Sequence, residues 1–116
     1  MAILAAVDDL LFRSKIRAVA KHVNAEVAFA QSADEILAQA ATTRPALVIV
    51  DLNSQKADPV ATIAALKARA QGTRVIAFAS HVHVDLIDAA RRAGADQVLA
   101  RSQFAGNLAD ILASGA

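Results

Sequence analysis

A chain of 116 residues suits a single domain, and no second, output domain is expected within it. Lys plus Arg at 12 against Asp plus Glu at 11 give a net charge of +1, which excludes the long-range field that draws nucleic acid or an anionic membrane surface. The apolar share is 56%, but thirty residues are alanine and Cys, Trp and Tyr are absent. The chain therefore has no disulfide or thiol chemistry, which fits a reducing compartment, and it builds its hydrophobicity from small side chains.

The first apolar run, Ala2 to Val7, reads as a buried strand that ends at Asp8-Asp9. It has no basic stretch before it, and no run in the chain approaches the roughly 18 apolar residues of a membrane span. A soluble, cytoplasmic protein is the expectation. Phe12, Ile16, Val19 and Val23 then recur at helical spacing, and Arg13, Lys15, Arg17 and Lys21 make the same helix basic. With no aromatic residues interleaved among those cations, the basic row reads as a solvated face.

A second strand over Glu26 to Ala30 leads to a second helix lined by Ala33, Ile36, Leu37 and Ala40, opened by Ser32 and Glu35 as a capping box. The third strand is Leu47 to Val50, closed by Asp51. A third helix starts at Pro59 with Asp58 as N-cap, carries Val60, Ile63 and Leu66, and stops at Gly72. Val75 to Ala79 is the fourth strand. Leu86, Ala89, Ala90 and Ala93 give a fourth helix ended by Gly94, Gln97 to Ala100 is a fifth strand, and Ser102 caps a fifth helix with Phe104, Leu108, Ile111 and Leu112 on one face.

Strands that alternate with helices imply βα units and an α/β fold with a doubly wound parallel sheet. Five such units commonly take the flavodoxin-like order 2-1-3-4-5, with the ligand site beyond the carboxyl ends of strands 1 and 3. Asp8, Asp9 and Asp51 then converge on one crevice although they are far apart in sequence. Like charges at close range repel and raise one another's pKa, so such a cluster holds a proton or a cation. Hard oxygen ligands without cysteine favour Mg²⁺.

Together these features resemble the receiver domains of two-component signalling along nearly the whole chain. The acidic pair after strand 1, the aspartate of Val50-Asp51-Leu52-Asn53, the Ala93-Gly94-Ala95-Asp96 turn and the cationic Arg101 after strand 5 fall in the family's order. The resemblance implies that Asp51 accepts a phosphoryl group, that Asp8 and Asp9 hold Mg²⁺ with Asp51, and that Asn53 supplies a backbone carbonyl ligand. It implies a histidine kinase or phosphotransfer protein as donor. It also implies a downstream target, or a second copy in a homodimer, on the face of helix 4, strand 5 and helix 5, where Arg91, Arg92, Asp96 and Asp110 lie.

Several positions depart from the family. The strand 4 hydroxyl position is Ala79, with Ser80 one residue later, and alternation along a strand predicts that Ser80 points away from the site. The usual lysine is Arg101, whose planar head needs its own approach geometry and predicts slower transfer. Val98 stands at the aromatic switch position, and Gln55 and Pro59 replace the usual loop residues. The acidic half of the site is kept and the switching half is altered, which leaves a pseudo-receiver, a phosphorylation-independent interaction module, as the alternative. A nucleotide-binding enzyme has no support: neither G-x-G-x-x-G nor G-x-x-x-x-G-K occurs. A signalling module that is not an enzyme is the expectation. His81-Val-His83-Val-Asp85 offers too few ligands for a Zn²⁺ site and reads as a loop, and Lys56 reads as solvent-facing.

Overall fold

The computed structural model describes residues 2–54, 58–69, 72–80 and 83–115. Gln55, Lys56 and His81 lie outside them. Five parallel strands, β1 (Ala2–Ala6), β2 (Glu26–Phe29), β3 (Leu47–Asp51), β4 (Arg74–Ala79) and β5 (Gln97–Ala100), form one sheet in the order β2-β1-β3-β4-β5. Between and after them run α1 (Leu10–His22), α2 (Ala33–Thr43), α3 (Pro59–Arg69), α4 (Val84–Ala93), α5 (Arg101–Gly106) and α6 (Leu108–Gly115). The flavodoxin-like α/β order expected from the sequence is the observed one. No helix among the described residues is long and apolar enough to cross a membrane.

Alternation sorts the side chains of the central strands onto two faces. Leu47 and Ile49 of β3 and Ile76 and Phe78 of β4 meet Phe12 and Ile16 of α1 and Phe104, Leu108 and Leu112 of α5 and α6. On the other face Val48 and Val50 with Val75, Ala77 and Ala79 meet Ile36 of α2, Ile63 and Leu66 of α3 and Ala90 of α4. The small residues of that face let the helices lie close to the sheet.

Asp51 belongs to β3, because its register partner Phe78 continues the ladder and the N–H of Leu52 still donates to the Phe78 carbonyl at 2.9 Å. Two expectations at helix starts are corrected. Ser32 Oγ accepts from the Glu35 N–H at 3.1 Å, but the Glu35 carboxylate accepts from Gln39 Nε2 instead of returning to Ser32, so only half of the box forms. Ser102 lies inside α5 and does not cap it, since Ala100 occupies the cap and Gln103 Oε1 accepts from the Ala100 N–H at 3.2 Å.

The single fifth helix is also two. Asn107 leaves the helical region at φ −108° and ψ 12°, and its side-chain nitrogen donates to the Gln103 carbonyl at 2.9 Å, which closes α5 before α6 begins. The apolar positions survive the break, with Phe104, Leu108 and Leu112 all buried.

The turn from α4 to β5 is fixed by backbone geometry and charge together. Gly94 has φ +113°, a region other residues avoid, and a Cβ there would stand 3.0 Å from Lys67 Cγ. Lys67 Nζ donates to Asp96 Oδ2 at 3.0 Å and to the Thr73 carbonyl at 3.1 Å, and Val75 N–H donates to the same Asp96 oxygen at 2.8 Å. Burial pushes the Asp96 carboxyl upward, but these donors and the charges of Lys67 and Arg74 outweigh it and hold its pKa below 3.8. Gly94→Ala is expected to lower unfolding stability by about 2 kcal/mol, read by urea denaturation, because it meets both backbone strain and Lys67.

Candidate functional site

The carboxyl end of β3 presents Asp51 between two neighbouring strands, and the side chain is only 4% exposed. One oxygen, Oδ1, accepts from the Asn53 N–H at 2.9 Å, an Asx-turn that folds the chain back just past the strand. Ser54 is buried in that turn, its N–H donates to the Asp51 carbonyl at 3.0 Å, and its Oγ donates to Asp8 Oδ2 at 2.7 Å. Asp8 and Asp51 are thus joined through Ser54. The other Asp8 oxygen, Oδ1, is buried with no hydrogen-bond partner among the described residues. Ser54 escaped the sequence reading, although an aspartate followed two and three residues later by Asn and Ser is a turn signal.

Asp9 does not join the other two. Its Oδ1 accepts from the N–H groups of Leu11 at 2.9 Å and Phe12 at 3.2 Å, so it is the N-cap of α1, and its Oδ2 accepts from Arg101 Nη2 at 3.1 Å. The expected cluster of three carboxylates is therefore not formed: among the described residues no three His, Cys, Asp or Glu side chains stand together as a ready metal-holding group. The reason is competition. Two backbone donors and a guanidinium offer Asp9 better partners than two like charges do.

Burial pushes the Asp51 pKa above 3.8, the Asn53 N–H and the charge of Arg101 oppose the rise, and the charges of Asp8 and Asp9 add to it. These residues suit a hard divalent cation. A buried carboxylate oxygen without a donor and a second carboxylate short of hydration both gain from one, and the Asn53 carbonyl lies in the same turn.

Ser80 lies just past the end of β4 and borders the same cavity as Arg101 and Asp9. A cavity of about 680 Å³ is lined by Asp9, Phe12, Lys15, Ser80, Arg101 and Ser102. Ala79 is fully buried in the opposite cluster with Val98 packed against it, and no hydroxyl or ring stands at either position. His83 is the N-cap residue of α4 without a side-chain cap bond, and it and Asp85 are exposed. On the face of α4 and β5, Arg91 pairs weakly with Asp88 at 3.9 Å, whereas Asp96 is already committed to Lys67.

The sign of the Asp51 shift fixes a pH dependence. A raised folded-state pKa means the native state binds the proton more tightly, so the contribution is fully present below 3.8 and is lost as pH rises through the folded value. Asp51→Asn keeps an acceptor for the Asn53 N–H and removes the buried charge. In metal-free buffer it is expected to melt a few degrees above wild type at neutral pH, with the gap closing as the pH approaches 4, followed by circular dichroism.

Comparison with known proteins agrees with this architecture. The sequence matches none of the curated proteins. The receiver domain of NtrX from Brucella abortus superposes with a TM-score of 0.81 at 20% identity, each chain covered over 100% of its length. A putative response regulator from Chloroflexus aurantiacus gives 0.84 at 19% identity, with 97% of this chain and 94% of that one covered. A signal receiver domain from Bermanella marisrubri gives 0.83 at 23% identity, with 98% and 96% covered. Against a longer NtrX chain of Brucella abortus, this chain spans 26% of the length. The family model for the response regulator receiver domain matches residues 3–113, and on that match the chain belongs to the receiver domain family of response regulators.

Proposed function

We propose that this chain acts in phosphorelay signalling as a divergent receiver, with Asp51 as phosphoacceptor. The observation that supports this most is the pairing of a nearly buried Asp51 with an Asp8 oxygen that is buried and lacks a donor among the described residues. A carboxylate stripped of water is a stronger nucleophile than a hydrated one, and the Asn53 N–H holds one of its oxygens so that the other can face the donor. Phosphoryl transfer needs that in-line oxygen and positive charge around the moving group. Asp8, Asp51 and the Asn53 carbonyl would hold Mg²⁺, joined by Asp9 once Arg101 releases it, and the ion would neutralise charge on the phosphoryl oxygens. Arg101, whose charge acts on Asp51, would be the cation for those oxygens, and Ser80, on the same cavity as Arg101, would offer the hydroxyl.

The donor in this reading is a histidine kinase or phosphotransfer protein. The downstream target takes the face of α4, β5 and α5, with a homodimer as the alternative occupant. The compartment is the cytoplasm, and the chain is a signalling module that catalyses no reaction on a separate substrate.

Incubation with a small phosphodonor and Mg²⁺ is expected to add about 80 Da, the mass of HPO₃, to wild type and not to Asp51→Asn, read by intact mass. Millimolar Mg²⁺ alone should raise the melting temperature of wild type and leave Asp51→Asn and Asp8→Asn nearly unmoved. If wild type takes no adduct and no Mg²⁺-dependent shift, the phosphoacceptor reading is wrong.

One observation favours a second reading. Ala79 is sealed in the core beside Val98, so neither a hydroxyl nor a ring can move there in response to a phosphoryl group. A ligand without differential contacts shifts no population. In that reading the chain is a pseudo-receiver that binds its partner regardless of phosphate. Small amide shift changes across residues 83 to 104 on adding a beryllofluoride-type analogue are expected from it, and large ones there would restore the phosphorylation-dependent switch.

A further inference from the structure

Three of the chain's four phenylalanines meet beneath Arg101. Phe78 and Phe104 stack with centroids 4.4 Å apart and planes 13° apart, and Phe12 tilts against both at 5.0 and 5.7 Å. The Arg101 guanidinium carbon lies 4.9 Å from the Phe12 centroid and 6.0 Å from that of Phe78. From the same head, Nη2 donates to Asp9 Oδ2 at 3.1 Å. We infer that Phe12, backed by Phe78, is a positioning residue that holds the Arg101 guanidinium at the mouth of the Asp51 site.

The inference rests on Asp51 being the phosphoacceptor, and it follows from what each group can do. An exposed arginine samples many rotamers, and one ion pair at the surface does little to choose among them. Arg101 is 39% exposed and its Asp9 partner 42% exposed, so the pair alone would not fix the head. A ring supplies the missing restraint. The planar guanidinium can lie on an aromatic face while its edge donates in plane, two bonds at right angles that a lysine ammonium on a flexible stem does not combine.

Phe12 is itself anchored twice over. Its ring packs against both Phe78 and Phe104, and its backbone N–H donates to Asp9, the same carboxylate that Arg101 binds. Asp9, Phe12 and Arg101 therefore form a closed set: the cap fixes where α1 starts, the start of α1 fixes the ring, and the ring fixes the cation. When a cation draws Asp9 away, Arg101 loses one hold and keeps the other. It stays over Phe12, beside Asp51, free to donate to a phosphoryl oxygen.

The test uses Phe12→Met, which keeps apolar volume without a ring, Phe12→Leu as a second shape, Phe12→Tyr as the conservative variant, and Arg101→Lys, a change at a half-exposed position that leaves the core untouched. In wild type the side-chain protons of Arg101 are expected upfield of their ordinary positions because of the ring current. That shift should vanish in Phe12→Met and Phe12→Leu and return in Phe12→Tyr. The rate of adduct formation on Asp51 should fall about tenfold in Phe12→Met and Phe12→Leu and recover in Phe12→Tyr. Phe12→Met added to Arg101→Lys should cost little more.

An adduct that forms as fast in Phe12→Met as in wild type overturns the inference and leaves the phosphoacceptor reading standing. An unshifted Arg101 in wild type overturns it as well. No adduct in wild type removes the phosphoacceptor reading and this inference together.

Discussion

Asp51 closes a strand that has neighbours on both sides, so its carboxylate enters a setting with almost no water and loses the hydration it would keep at a sheet edge. The charged form is disfavoured there, and the surroundings return only part of what is lost: one N–H from Asn53 and the attraction of Arg101 across the crevice. Asp8 adds repulsion and is itself only half satisfied, through Ser54. A hydrogen-bonded core would not be built this way. In the proposed reading a cation would relieve the arrangement, because a group that binds the native state alone stabilises it by its affinity.

The two faces of the sheet serve this site differently. Beneath α2, α3 and α4 the sheet side of β3 and β4 is made by Val48, Val50, Val75, Ala77 and Ala79, side chains with few or no rotamers to exchange. Such a face is closely packed and offers no second arrangement at Ala79. Toward α1, α5 and α6 the packing is aromatic, and there a charged head is in direct contact with the rings. A change of charge at Asp51 is therefore felt first by Arg101, on the side away from α4. The break at Asn107 belongs to the same face, since it lets α5 present Phe104 to the stack while α6 turns Leu108 and Leu112 to the sheet.

The fold was legible because its signals are periodic and repeated. Five apolar runs and the helical spacing of Phe12, Ile16, Ile36, Ile63 and Leu66 leave few ways to bury the marked residues, and a helical crossover between successive strands makes them parallel. What the sequence did not show depends on which of several competent partners a polar group takes. Asp9 could have faced Asp51 or capped α1, and only the geometry of the turn and the reach of Arg101 decide for the cap. That Ser80 shares a cavity with Arg101 and Asp9 is a tertiary fact that strand alternation does not register. Ser54 was hidden for a similar reason: its role is a contact with a residue 46 positions away. The end of α5 turned on Asn107, whose side chain competes for a helical carbonyl in a way that apolar spacing does not register.

Replacing a lysine by an arginine after β5 looks conservative by charge and is not so by shape. In a chain with 3% aromatic residues, three of the four rings gather in one stack, two of them under that arginine. Buried rings contribute to stability wherever they sit, so core packing alone does not require them to be gathered at the charged end of the sheet. What the gathering adds is orientation for a guanidinium that would otherwise move freely. The alanine at position 79 removes a moving part from one side of the site, and the ring stack fixes a charge on the other. Both changes make the site more rigid, which suits a receiver that binds its anion in a preformed place more than one that reshapes itself around it.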